Sequence, residues 1–199
     1  MDPAGTTALV TGVGNPDGIG YTTALRLAKR GADVAVTDVT VTPGLEQLAA
    51  AIETLGRRGL PLAVDVTEPD QITTCVAHCA DVLGSPGVLV NNTGSTVGAP
   101  PYLDIEADHR DLSFAINLKG PALFCSAVLP LMVAAGVGSI VNNASTGGLG
   151  AEAGVSPCAA PAPPQRLPRP SPTSLRPRRP TSQAQRSRSR AARPRGCEL

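Results

Sequence analysis

Short stretches that are apolar on both sides recur along this chain, each separated from the next by a segment long enough to be a helix. Thr7-Ala8-Leu9-Val10-Thr11 runs into Gly12-Val13-Gly14-Asn15-Pro16-Asp17-Gly18-Ile19-Gly20, after which Ala24, Leu25, Leu27 and Ala28 follow at helical spacing up to Gly31. The spacing predicts strand, tight loop and helix. Residues 33–38 read as a second strand and 44–55 as a second helix, with Leu45, Leu48, Ala49, Ile52 and Leu55 on one face. The alternation continues with a strand at 62–65, a helix at 70–83, a strand at 88–91, a long helix at 108–135 and a strand at 139–142. On that long helix the stripe Leu112, Ala115, Leu118, Ala122, Cys125 and Leu129 is expected to face the core. Strands without a polar face, alternating with helices, imply an α/β fold: a doubly wound parallel sheet covered on both sides.

In such open sheets ligands bind beyond the carboxyl ends of the strands, and the residues here that can do chemistry gather at those ends: Gly12 to Gly20, Asp38, Asp65, Asn91 to Gly94 and Ser145. A glycine-rich loop opening a helix offers bare backbone N–H groups and the positive end of the helix dipole to a pyrophosphate. An ordinary strand-to-helix turn has the same look. Asp38, 18 residues past Gly20, adds a carboxylate able to accept hydrogen bonds from both ribose hydroxyls of an adenosine and to repel a 2′-phosphate. Its bland alternative is a solvated loop aspartate.

Composition divides the chain. Residues 1–156 hold 7 Lys and Arg against 15 Asp and Glu, a net of −8, whereas residues 157–199 hold 10 Arg against the single Glu198, a net of +9; together they make the overall +1. The second part carries 10 of the 20 prolines, three Leu, and no Val, Ile, Phe, Tyr or Met. Such a segment buries too little apolar surface to offset its ordering entropy, so residues 157–199 are expected to be a disordered tail behind a domain of 1–156. Its arginines predict weak, non-specific binding to nucleic acid at low salt; with no aromatic among them to stack on bases, no nucleic-acid role is expected. The five cysteines show no metal-ligand spacing, and Cys75 and Cys79 read as small residues one helical turn apart. Neither disulfide nor metal is expected. No apolar run reaches the roughly 18 residues of a spanning helix and no signal-peptide pattern opens the chain, so the expectation is a cytoplasmic protein that does not meet a membrane.

Taken together, these motifs resemble the short-chain dehydrogenase/reductase family over residues 6–156. Thr11-Gly12 with Gly18-Ile19-Gly20 resembles the family's Thr-Gly-x-x-x-Gly-x-Gly cofactor loop, with two extra residues between Gly12 and Gly18. Asp65-Val66 is similar to the pair that contacts adenine, and Asn91-Asn92-Thr93-Gly94 to the family's Asn-Asn-Ala-Gly stretch. Asn117 stands at the family's active-site asparagine, and Val141-Asn142-Asn143-Ala144-Ser145 resembles the strand that ends in the catalytic serine. The resemblance implies a Rossmann-like sheet of about five strands in order 3-2-1-4-5 and a nicotinamide cofactor held by Gly12, Gly18, Ile19, Gly20, Asp38, Asp65, Val66, Asn91 and Gly94. It also implies hydride transfer to or from an alcohol or ketone, with Ser145 and Asn117 as catalytic residues. Asp38, with no Lys or Arg from 38 to 55, favours NAD over NADP. Read singly, Asn117 is a helix-bridging residue, Ser145 a turn serine and Asn91 a strand-end residue. His78 and His109 read as surface or packing residues.

The family's proton donor is a tyrosine thirteen residues after the serine, followed four residues later by a lysine. Cys158 and Ala162 stand at those positions, and no Tyr-x-x-x-Lys occurs anywhere in the chain. The family-like pattern ends within the expected active-site motif, where a reading-frame change in GC-rich coding sequence would produce the composition that follows. The segments that build the family's subunit interface and substrate pocket are missing, so its homo-oligomer is not expected to carry over. Strand five would be left as an exposed edge, with marginal stability. Three readings stay open: a dehydrogenase using another acid, a non-catalytic NAD-binding or interaction protein, and a frame-shifted product.

Overall fold

The computed structural model describes residues 2–96 and 104–145. The segment 157–199, with Cys158 and Ala162, lies outside them.

Five strands, β1 (Thr7–Thr11), β2 (Asp33–Asp38), β3 (Gly59–Ala63), β4 (Pro86–Asn91) and β5 (Ser139–Asn142), form one sheet in the order β3-β2-β1-β4-β5. Every neighbouring pair is parallel, as the sequence predicts, with Leu9 opposite both Ala35 and Leu89 at the centre. Because side chains alternate along a strand, the three central strands feed two cores. Ala8, Val10, Val34, Val36, Val88 and Val90 pack against helices α1 (Ile19–Lys29) and α2 (Pro43–Thr54). Leu9, Ala35 and Leu89 pack on the other face against α3 (Pro69–Leu83) and α5 (Gly120–Ala135). From β1 the chain winds outward through β2 and β3, then returns to place β4 on the other side of β1. That reversal opens a crevice at the carboxyl ends of β1 and β4.

Three expectations are corrected. The third strand begins at Gly59 and ends at Ala63 rather than running from Leu62 to Asp65, with Val34 opposite Gly59 and Asp38 opposite Ala63. Gly59 and Pro61 look like strand breakers in sequence, but β3 is an edge strand, where a missing N–H is tolerated.

The long helix is present as Ala107–Ala135, but α4 (Ala107–Phe114) joins α5 through a π-helical turn at Ala115–Lys119, and its buried face is not the predicted stripe. Gly120, Phe124, Val128 and Met132 are buried, whereas Leu112, Leu118 and Leu129 are 45%, 50% and 46% exposed. Ala115 and Cys125 are half-buried and Ala122 is exposed. Over 120–135 the helix is apolar nearly all round, so periodicity names no unique face, and the wider π turn shifts the residues ahead of it. This helical run is also long and apolar enough to cross a membrane, against the sequence expectation of no such run; here it lies on the sheet through Phe124, Val128 and Met132.

The amino ends of the strands are locked by charge. Asp33 accepts from the Arg58 backbone N–H (3.0 Å) and Nε (2.7 Å) and pairs with Arg57 at 2.7 Å. The Arg58 guanidinium continues to the carbonyls of Val82 and Leu83, both at 2.8 Å, and so caps the end of α3.

Candidate functional site

At the carboxyl end of β1 the backbone turns sharply. Gly12 has φ +68°, and a Cβ there would stand 2.6 Å from the Thr93 Cα, so only glycine serves. The N–H groups of Gly12 and Val13 both donate to the Thr37 carbonyl, at 2.8 and 3.3 Å, which anchors the loop to β2. The two residues that lengthen the loop are absorbed in a turn that closes on itself. Gly18 N–H donates to the Asn15 carbonyl (2.9 Å) and Asp17 N–H to the Asn15 side-chain oxygen (3.1 Å). α1 then starts at Ile19, 67% exposed, behind an N-cap glycine with no side-chain cap, leaving the helix's positive end open toward the crevice.

Asp38, half-buried at the end of β2, accepts the Gly14 N–H on Oδ2 at 2.7 Å and the Val39 N–H on Oδ1 at 2.8 Å. Asp65 lies just beyond β3, where its Oδ1 accepts from the Thr67 N–H (2.9 Å) and hydroxyl (2.7 Å) while its own N–H donates to the Gln71 side chain. Val66 is buried beneath the start of α5, where Gly120 approaches so closely that a Cβ would lie 2.9 Å from the Val66 carbonyl.

Paired asparagines tie the ends of β1, β4 and β5 together. Asn91, 3% exposed, donates its amide to the Asn142 side chain at 2.8 Å, while its own Oδ1 is buried without a partner. Asn92 donates to the carbonyls of Thr11 (3.1 Å) and Gly12 (2.7 Å) and accepts from the Asn143 side chain at 2.9 Å. The Thr11 hydroxyl accepts the N–H groups of Asn92 and Thr93, both at 3.1 Å. Asn117 sits in the π turn, exchanging hydrogen bonds with the Ser95 backbone (3.0 Å in, 2.9 Å out) and donating to the Ser113 hydroxyl at 3.1 Å. That contact holds the chain just past Gly94. Ser145 follows β5 by three residues and is exposed.

The sequence model of the short chain dehydrogenase family matches residues 6–160. The chain belongs to the short-chain dehydrogenase family. It is 37% identical over 150 residues, 75% of its own length and 56% of the relative's, to a sorbitol dehydrogenase of Cereibacter sphaeroides. Its fold is similar to that of an NAD+-bound xylitol dehydrogenase, with TM-score 0.74 and 29% identity over 80% of this chain and 60% of the other. A carveol dehydrogenase of Mycobacterium avium, solved in complex with NAD, gives TM-score 0.73 and 28% identity over 79% of this chain and 60% of that one. The chain therefore spans a little over half the length of these relatives.

Gly12, Gly18, Ile19, Gly20, Asp38, Asn91 and Gly94 lie around the carboxyl ends of β1, β2 and β4. Asp65 and Val66 stand at the end of β3, and Asn117 and Ser145 belong to the π turn and the β5 end on the other side of β4. Asn92, Asn143 and Gly14 fall within the motifs read from the sequence, but the sequence assigns none of them a role of its own. The available signal was the doubled asparagine after both β4 and β5, which the register sets side by side, Asn91 opposite Asn142. His78 is exposed on α3 and His109 half-buried on α4, both outside this crevice. Cys75 and Cys79 lie in the second core, where burial pushes both thiols up to about 12.

Proposed function

We propose that this chain is a nicotinamide-dependent oxidoreductase acting on an alcohol or ketone, that it prefers NAD(H) to NADP(H), and that it turns over slowly as its sequence stands. The observation that carries this is the convergence of a bare glycine loop, opening an uncapped helix, with an aspartate at the end of the adjacent strand. The residues fit a dinucleotide. A Cβ on Gly12 would strike Thr93 and one on Gly20 the Asn92 amide and the Gly12 carbonyl, so both positions stay bare, and Asn91 holds a buried, unpartnered acceptor at the end of β4. Within residues 1–156, Ile19 and Gly20 present backbone N–H groups and the α1 dipole to the pyrophosphate, Gly12 and Gly18, whose own N–H groups are spent on the Thr37 and Asn15 carbonyls, shape the loop beneath it, and Asp38 accepts from the adenosine ribose. Asp65 and Val66 border the adenine, and Asn91 and Gly94 line the path toward β4.

A bound nicotinamide supplies or takes the hydride. Ser145 orients the substrate oxygen, and Asn117 steadies the segment at Ser95 and can hold a water. Neither hydroxyl nor amide is a good proton donor. With Cys158 and Ala162 where the family has tyrosine and lysine, a positioned acid is missing, which costs about 10²–10⁴ in rate. The relatives' names as sorbitol, xylitol and carveol dehydrogenases support the alcohol–ketone class without choosing among substrates.

Titration of NADH and NADPH by fluorescence, followed by an absorbance scan of alcohols and ketones, tests this. The expected result is tighter NADH binding and turnover far below that of the chain carrying the alternative-frame continuation after Ser156. Tighter NADPH binding overturns the preference. Rapid turnover by the unmodified chain, abolished in Ser145→Ala, overturns the claim of slow catalysis, and failure to bind either nucleotide overturns the site.

A further inference from the structure

The loop glycines differ in why they are glycine. Gly12 needs its left-handed backbone, but Gly14 is not in the left-handed region, so its conformation is open to any residue. What excludes a side chain at 14 is Asp38: a Cβ there would lie 2.8 Å from Oδ2, 3.0 Å from Cγ and 3.6 Å from Cβ of that one residue. Asp38 cannot readily retreat, being the last residue of β2, paired with Ala63 in the sheet and held through Oδ1 by the Val39 N–H. Its other oxygen holds the Gly14 N–H at 2.7 Å.

We infer that Gly14 and Asp38 form a coupled specificity pair, in which the bare backbone at 14 locks the Asp38 carboxylate in one orientation, and that the pair rather than Asp38 alone discriminates against a 2′-phosphate. A carboxylate has about four lone-pair sites, so two backbone N–H groups leave one free on each oxygen, enough for the two hydroxyls of a ribose. An unheld aspartate could rotate away from a 2′-phosphate and blunt the repulsion. A carboxylate pinned on both oxygens has no such escape, so the like-charge penalty stands in full. Gly14 thus acts as a positioning residue for Asp38. This inference rests on the dinucleotide reading above.

A double-mutant cycle of Gly14→Ala, Asp38→Ser and the two combined tests it, with NADH and NADPH affinities and the melting temperature of the nucleotide-free protein as separate readouts. Gly14→Ala alone is expected to weaken NADH binding about tenfold and to shrink the NADH/NADPH ratio, while in the Asp38→Ser background the same alanine changes affinity by less than about twofold. The melting temperature should show the same pattern, a loss with Asp38 present and little change without it. Equal effects of Gly14→Ala in both backgrounds, or an unchanged NADH/NADPH ratio in Gly14→Ala alone, overturn the pair. If the unmodified chain binds neither nucleotide, the dinucleotide reading fails, and the melting cycle alone decides whether the coupling exists.

Discussion

The side-chain amide of Asn92 donates to the Gly12 carbonyl at 2.7 Å, joining the end of β4 to the first residue of the glycine loop 80 positions earlier. The same nitrogen reaches the Thr11 carbonyl, and a Cβ on Gly20 would come within 2.5 Å of it, so the loop and the start of α1 are both fitted around this one group. Asn92→Leu removes the donor and leaves the two carbonyls short of a partner in a partly buried site. The expected cost is about 1–3 kcal/mol in chemical denaturation, together with weaker NADH binding. Unchanged stability and affinity would show that the loop is held elsewhere.

At the opposite end of the sheet, Asp33 links stability to pH. Burial pushes its carboxyl up, but the backbone and side-chain hydrogen bonds from Arg58 and the charges of Arg57 and Arg58 outweigh that and hold it below its ordinary 3.8. Its contribution is therefore complete above that value and is lost as pH falls through the lower, folded-state value. Asp33→Asn should lower stability at pH 7 by about 1–3 kcal/mol, and the gap between variant and parent should narrow as the pH drops below 4. A gap that stays constant between pH 7 and pH 3 would assign the loss to packing rather than charge.

With thiols raised to about 12 by burial, Cys75 and Cys79 are almost wholly protonated at pH 8, with about one thiolate in ten thousand. Brief alkylation of the native protein, mapped by mass spectrometry, should leave both untouched, and modification should appear only in denaturant. Labelling of either at native pH 8 would mean that α3 opens readily.

Among the described residues nothing covers the outer edge of β5 or the neighbouring face of α5. Leu129 and Val133 are 46% and 76% exposed there, and with Met132, Val137 and Ile140 they line a shallow apolar groove. Open edges beside apolar faces promote association. Val133→Lys should lower the concentration-dependent light scattering of the protein without shifting its melting temperature by more than a few degrees. Scattering that rises, or a collapse in melting temperature, would show that Val133 is packed in solution.

Local pattern was enough for much of this molecule. Strand stretches such as Thr7–Thr11 and Asp33–Asp38, the glycine loop after β1 and the aspartate after β2 could be read directly, because a buried parallel strand and a strand-to-helix turn each leave a signature within about ten residues. The order β3-β2-β1-β4-β5 was also legible, since the run of motifs resembles one family. What could not be read depends on partners distant in the chain. Pro61 is admissible in β3 only because that strand has a single neighbour. α5, apolar nearly all round, acquires an inner face of Phe124, Val128 and Met132 only when it is laid on the sheet behind a π turn. The bonds from Asn92 to Gly12, from Arg58 to the end of α3 and from Gly14 to Asp38 span 80, 25 and 24 positions. Hydropathy period carries no information at those separations, because a side-chain amide or carboxylate chooses its backbone partner only after the sheet has brought the strand ends together.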